Sequence, residues 1–195
     1  DSIYRLYLIG NTGEIIWKIQ LNEPIISPIY QVDFYNNGKY QYLFNTPGFI
    51  HLIDREGRKV ENYPIALKSK ATNALSVFDY EKDKNYRIFI ACDNQVYGYR
   101  LDGKIILEWA PRNVKGTIKK PILHLTIKNK DYLIILTQTG NLQILDRKGN
   151  TRIKVQENIA NVSDNPFYVQ NTNDASTASI AFTDTSGTIF ITDFS

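Results

Sequence analysis

Four polar residues recur at one place in otherwise apolar runs. Asp33, Asp79, Thr126 and Gln170 each stand five residues beyond a point where a new run opens, at 28, 74, 121 and 165. If those runs lie side by side, the four side chains line a common channel or its mouth. Two carboxylates, a hydroxyl and an amide could there hold a small polar ligand or a cation. A second reading competes. An Asp at the end of a strand caps the following turn by accepting backbone N–H groups, and Asp33 and Asp79 both precede turns.

The other residues able to do chemistry are scattered. His51 and His124 have no Cys or carboxylate at metal-ligand spacing. Each lies in a strand-like run, where a histidine is ordinarily packed or hydrogen-bonded. A hydrolase needs a nucleophile beside a base or a placed pair of carboxylates, and no such constellation is visible. Calcium loops of the Asp-x-Asp-x-Asp-Gly type are absent. The single cysteine, Cys92, excludes an intrachain disulfide and ends the apolar run Arg87–Cys92, which suits a buried, inert thiol. The expectation is a protein that is not an enzyme and carries no metal or cofactor.

What positions these residues is a hairpin that recurs. Leu52-Ile53-Asp54-Arg55-Glu56-Gly57 returns as Tyr99-Arg100-Leu101-Asp102-Gly103, as Ile144-Leu145-Asp146-Arg147-Lys148-Gly149 and, more loosely, as Leu8-Ile9-Gly10-Asn11-Thr12-Gly13. The closing glycines lie at 13, 57, 103 and 149, in steps of 44, 46 and 46 residues. An acidic or amide residue early in the turn bonds its own backbone, and the glycine supplies φ > 0. A strand-turn-strand unit at this period is the signature of propeller blades. Polarity within each unit agrees. Ile88-Phe89-Ile90-Ala91 and Tyr132-Leu133-Ile134-Ile135-Leu136 are apolar on both faces and must be covered on both. The last run of each unit is wetter, as an outermost strand should be.

The expected fold is therefore all-β, a β-propeller of four-stranded antiparallel blades. About four blades are present, as a segment of a larger propeller. The units read as a partial blade 1–27, blades 28–73, 74–120 and 121–164, and a partial blade 165–195, with residues 59–67 and 104–109 as fourth strands of their blades. The chain opens within a repeat and has no Met, as a mature product or an excised piece would. Either missing blades or a second copy in a dimer would complete the ring.

Apolar residues make up 43% of the 195 and charged residues 22%, a globular composition. The net charge of +3 comes without long basic blocks, which argues against a nucleic-acid surface. No run reaches the length of a membrane span.

Leu6-Tyr7-Leu8-Ile9-Gly10-Asn11-Thr12-Gly13-Glu14-Ile15-Ile16-Trp17-Lys18 resembles the repeat of quinoprotein-like propellers: a strand, Asp-x-x-x-Gly, then Trp-Lys. Gly10 or Asn11 replaces the usual Asp. Residues Gly103 to Trp109 look like a second copy with longer spacing. The resemblance implies the quinoprotein-like or WD40/YVTN-like superfamily. Many members are non-catalytic, including an envelope lipoprotein that assists outer-membrane barrel assembly. The resemblance also admits part of a quinoprotein-type dehydrogenase, or another propeller enzyme, whose active site lies mostly outside this chain. Those dehydrogenases use an adjacent-cysteine disulfide and a calcium cluster, for which this chain lacks the residues.

The leading expectation is a binding or scaffold module in the bacterial periplasm or cell envelope. Loops at one propeller face would meet a protein or glycan partner. Candidate loops are 22–28, 68–73, 110–120 and 157–165, with Arg112, Lys119 and Lys120 as candidate contacts.

Overall fold

The repeated hairpin forms at each of its four places. Gly13, Gly57, Gly103 and Gly149 have φ of 91°, 81°, 85° and 82°. Each donates its N–H to the carbonyl three residues back, on Gly10, Asp54, Arg100 and Asp146. Asp54 Oδ1 accepts the amides of Glu56 and Arg58, and Asp146 Oδ1 those of Lys148 and Asn150. An L side chain at the glycine would be strained by the positive φ.

In a computed structural model of the chain, residues 3–109, 112–156, 158–174 and 176–194 are described, Arg112 and Asn113 by backbone alone. The described strands make five antiparallel sheets. Sheet I pairs β1 (Arg5–Ile9) with β2 (Ile15–Gln20). Sheet II runs β3 (Tyr30–Val32), β4 (Gln41–Asn45), β5 (Phe49–Ile53), β6 (Ile65–Ala66). Sheet III runs β7 (Ser76–Phe78), β8 (Arg87–Cys92), β9 (Gln95–Arg100), β10 (Arg112–Asn113). Sheet IV runs β11 (Leu123–Ile127), β12 (Lys130–Leu136), β13 (Leu142–Leu145), β14 (Thr151–Ile153). Sheet V runs β15 (Tyr168–Gln170), β16 (Ser179–Thr183), β17 (Ile189–Asp193). The chain is a β-propeller by architecture, each sheet a blade formed in chain order. Among the described residues no helix is long and apolar enough to cross a membrane.

Strand alternation builds the core between blades. On β4, Phe44 joins Leu6, Trp17 and Ile19 of sheet I, while Leu43 faces Ile88 and Ile90 of sheet III. On β8, Phe89 and Ala91 turn the other way and meet Leu133 and Ile135 of sheet IV. On β12, Ile134 and Leu136 then pack on Ile180 and Phe182 of sheet V. A run buried on both faces is thus a middle strand between two neighbours, and each apolar layer is shared by consecutive sheets. The outward faces of the end sheets stay open: Ile15 and Ile16 on sheet I, and Tyr168, Ile189 and Ile191 on sheet V, are more than half exposed.

The fourth strands depart from expectation. Residues 59–67 and 104–109 do not run as continuous strands. After its hairpin each segment makes one bridge, Ile53 to Lys59 and Tyr99 to Ile105, and then turns. The Tyr63 amide donates to Val60 and the Trp109 amide to Ile106. The turn drives an aromatic ring under the blade. The Tyr63 hydroxyl donates to the Leu101 carbonyl, and Trp109, fully buried, donates to the Val96 carbonyl. The sheet edge resumes later, at Ile65–Ala66 and at Arg112–Asn113. Burial of a large ring outweighs a few exposed ladder bonds. Trp17 is a different device. Four residues past its glycine, where Trp109 is six past, it stays in β2 and donates to the Arg55 carbonyl of the next blade's hairpin.

Candidate functional site

Each blade has a hairpin end, carrying the repeated hairpins and the turns after the inner strands, and a connector end, where the chain passes to the next blade. At the hairpin end a cleft of about 820 Å³ opens between sheets III and IV. Its lining includes five cations, Arg87, Arg100, Lys104, Arg147 and Lys148, against two acids, Glu81 and Glu108. Ile105 and Leu107 add apolar surface, 40% and 95% exposed. The inward turn at Trp109 leaves Leu107 unpaired at the blade edge.

The wall of the cleft is held by one charged group of residues. Asp131, nearly buried at the start of β12, takes a hydrogen bond from Thr126 Oγ1 at 3.0 Å and contacts His124 Nε2 at 2.7 Å. Its other oxygen accepts from Arg147 Nε. Burial pushes the Asp131 carboxyl up, but the bonds from His124, Arg147 and Thr126 outweigh burial and hold it below its ordinary range. Arg147 also donates to Glu81 and lies 4.4 Å above the Tyr80 ring. His124 packs edge-on against Tyr80, with ring centres 4.8 Å apart. The buried Tyr80 hydroxyl has no hydrogen-bond partner among the described residues, and burial pushes its pKa up. The cleft thus presents cations and exposed aliphatic surface, fixed by inner-strand residues, with the unpartnered Tyr80 hydroxyl buried behind them.

The four recurrent polar residues do not form one cluster. Asp33 accepts the amides of Asn37 at 3.0 Å and Gly38 at 2.8 Å, and Asp79 those of Asp83 and Lys84. Both carboxylates cap turns. Lys84 joins them across blades, its Nζ reaching Asp33 Oδ2 at 2.7 Å. This bond, the turn amides and the charge of Lys84 lower the Asp33 carboxyl against a smaller desolvation penalty. Thr126 serves Asp131. Gln170 lies on the open face of sheet V, in a recess of about 330 Å³ with Tyr168, Ile189 and Ile191.

Of the proposed loop contacts, the Arg112 side chain lies outside the described residues. Lys119 is exposed. Lys120 has an inter-blade role: its Nζ donates to the Asn165 carbonyl and lies 5.7 Å from the Phe167 ring, and burial lowers its pKa. His51 is packed, stacked on Phe44 with ring centres 5.0 Å apart. Asp131, Arg147 and Tyr80 were missed. Asp131 was detectable as a charge beside an apolar run. Arg147 was hidden in a turn whose shape accounts for Asp146 and Gly149.

No protein-family model matches the chain, and no curated protein matches its sequence. Solved structures match its fold. A crystal structure of BBS1N in complex with ARL6DN, soaked with lead, superposes with a TM-score of 0.65 at 14% identity, covering 97% of this chain and 59% of that one. The mercury-soaked form gives a TM-score of 0.60 at 12% identity, covering 88% and 51%. The chain therefore spans between half and three fifths of the length of these neighbours. At such identity the likeness is one of fold, a β-propeller, and activity does not follow from it.

Proposed function

We propose that this chain is a non-catalytic binding module that holds a protein partner in the cleft between sheets III and IV. The observation that carries this reading is the lining of that cleft: five cations against two acids, with Ile105 and Leu107 exposed beside them. Its partner is an acidic segment bearing an apolar side chain. Carboxylates meet Lys104 and Lys148 at the rim, and the apolar group covers Leu107. The neighbouring propeller, BBS1N, was crystallised with a protein, ARL6DN, which supports a protein in this role.

The test is an array of acidic, leucine-containing peptides and matched peptides with Lys in place of Glu. The chain should retain the acidic set, less so at high salt, and K104E/K148E should lose it. Equal retention of both sets, or undiminished binding by the double variant, overturns the reading.

A further inference from the structure

A second, smaller cavity lies between sheets I and II, away from the cleft, and its argument is independent of the cleft. Its volume is about 190 Å³, room for about six water molecules. Glu23, in the connector after β2, lays its carboxylate over the turn Thr46-Pro47-Gly48. Oε2 accepts the Gly48 amide at 2.7 Å, and Thr46 lies in the same lining. The approach is close at Gly48, where a Cβ would come within 3.0 Å of Oε2 and 3.1 Å of Oε1 and the carboxylate would have to shift slightly. The Gly48 bond and the nearby Thr46 hydroxyl hold the Glu23 carboxyl below its ordinary range, with Lys70 and His51 adding to them and weak desolvation opposing. The Gly48 bond leaves lone pairs free on the carboxylate, which offers about four sites.

The rest of the lining mixes polar and apolar side chains. His51 Nε2 lies 3.3 Å from Thr46 Oγ1. Burial first, and the charge of Lys59 second, push the His51 pKa down to about 4, so the ring is neutral. Lys59 lines the same cavity yet forms no ion pair with Glu23 among the described residues. Ile19, Phe49 and Ile53 lie in the same lining. An anion with no cationic group would meet Glu23. A metal ion would find too few ligands: among the described residues no group of three His, Cys, Asp or Glu could hold one.

We propose that this cavity binds a small zwitterion of the α-amino-acid class, its ammonium on Glu23, its carboxylate toward Lys59 and its side chain against Ile19, Phe49 and Ile53. The test is an NMR titration of the full chain, following the backbone amides of Gly48 and His51. The three probes are L-valine, n-butylammonium chloride and sodium butyrate. L-valine should shift both signals saturably, n-butylammonium should do so more weakly, and butyrate should leave them in place. E23Q should weaken L-valine binding at least tenfold, and K59Q should weaken L-valine without changing n-butylammonium. Should E23Q fail to fold, K59Q at an exposed position still separates the two probes. No saturable shift with L-valine, equal binding by E23Q, or butyrate acting like L-valine overturns the proposal.

Discussion

The two ends of the blades are joined to their neighbours by different chemistry. At the connector end the links between blades include neutral side chains on backbone groups. Asn45 Oδ1 accepts the Leu75 amide at 3.0 Å; Asn73 Oδ1 accepts the Ala91 amide at 2.8 Å, and its Nδ2 donates to the Lys120 carbonyl at 3.0 Å. Both asparagines are buried. At the hairpin end neutral bonds such as Trp17 to the Arg55 carbonyl are joined by ion pairs: Lys84 with Asp33, Arg147 with Glu81, and Lys128 with Asp174. Neutral bonds between buried groups are indifferent to salt and pH. Ion pairs at the rim respond to both. One end is therefore fixed by satisfied backbone, while the other keeps charge at the surface, where a partner can meet it.

The largest expected effect tests the fixed end. Asn73→Ala deletes two bonds and leaves the buried Ala91 amide and the Lys120 carbonyl without them. It should cost about 3 kcal/mol in urea unfolding, equally at pH 6 and pH 8 and at low and high salt. A loss that changes with salt would erase the contrast between the two ends.

Next comes a titratable exception near the connector end. His51 is neutral when folded, with its pKa lowered to about 4 from 6.5. The unfolded chain therefore takes up the proton first as pH falls, and stability declines from about pH 6.5 toward 4. Between pH 7.5 and 5 the wild type should lose about 2 kcal/mol through this group, and His51→Gln should flatten that part of the curve. Parallel pH profiles for the two proteins would show that the imidazole is not desolvated.

Asp131→Asn probes the charged group behind the cleft. Its lowered carboxyl pKa means that the stabilisation is present above the unfolded value of about 3.9 and is lost as pH falls through the folded value. The substitution should cost about 1.5 kcal/mol at pH 7, and the difference from wild type should close in acid. It should also weaken capture of acidic peptides, because Arg147 loses one of its two anchors.

What the sequence disclosed follows from the range of the physics involved. The hairpin repeat is local: an Asp or Gly at fixed offset determines a turn, so Gly57, Gly103 and Gly149 were legible one by one. Strands such as β8 and β12 were legible because burial on both faces leaves no polar alternation. The breaks at Tyr63 and Trp109 were not, since a ring turns inward for the layer beneath it, which no local pattern reports. The charged group was still less visible. Asp131 meets Arg147 across 16 residues within sheet IV, and Arg147 meets Glu81 across 66, a meeting that depends on which blades are neighbours. Asp33 and Asp79 were found by a regularity that was real, the same place in consecutive units, and its two readings differ by where a carboxylate points.

The smallest effects separate the ion pairs from one another. Lys84 and Lys128 both reach a carboxylate on an adjoining blade, at 2.7 and 3.0 Å. Their partners differ in exposure: the Asp33 side chain is shielded from solvent, whereas that of Asp174 is 49% exposed. Removing a cation from a shielded carboxylate leaves a charge that water reaches poorly, whereas an exposed one is rehydrated at once. Lys84→Ala should therefore lower the melting temperature measurably, and Lys128→Ala should leave it within experimental scatter. Asp33 still accepts the amides of Asn37 and Gly38, so even the first loss should stay below that of Asn73→Ala. Equal losses for the two lysine variants would mean that exposure does not rank these links, and the hairpin end would then act as one cooperative ionic belt.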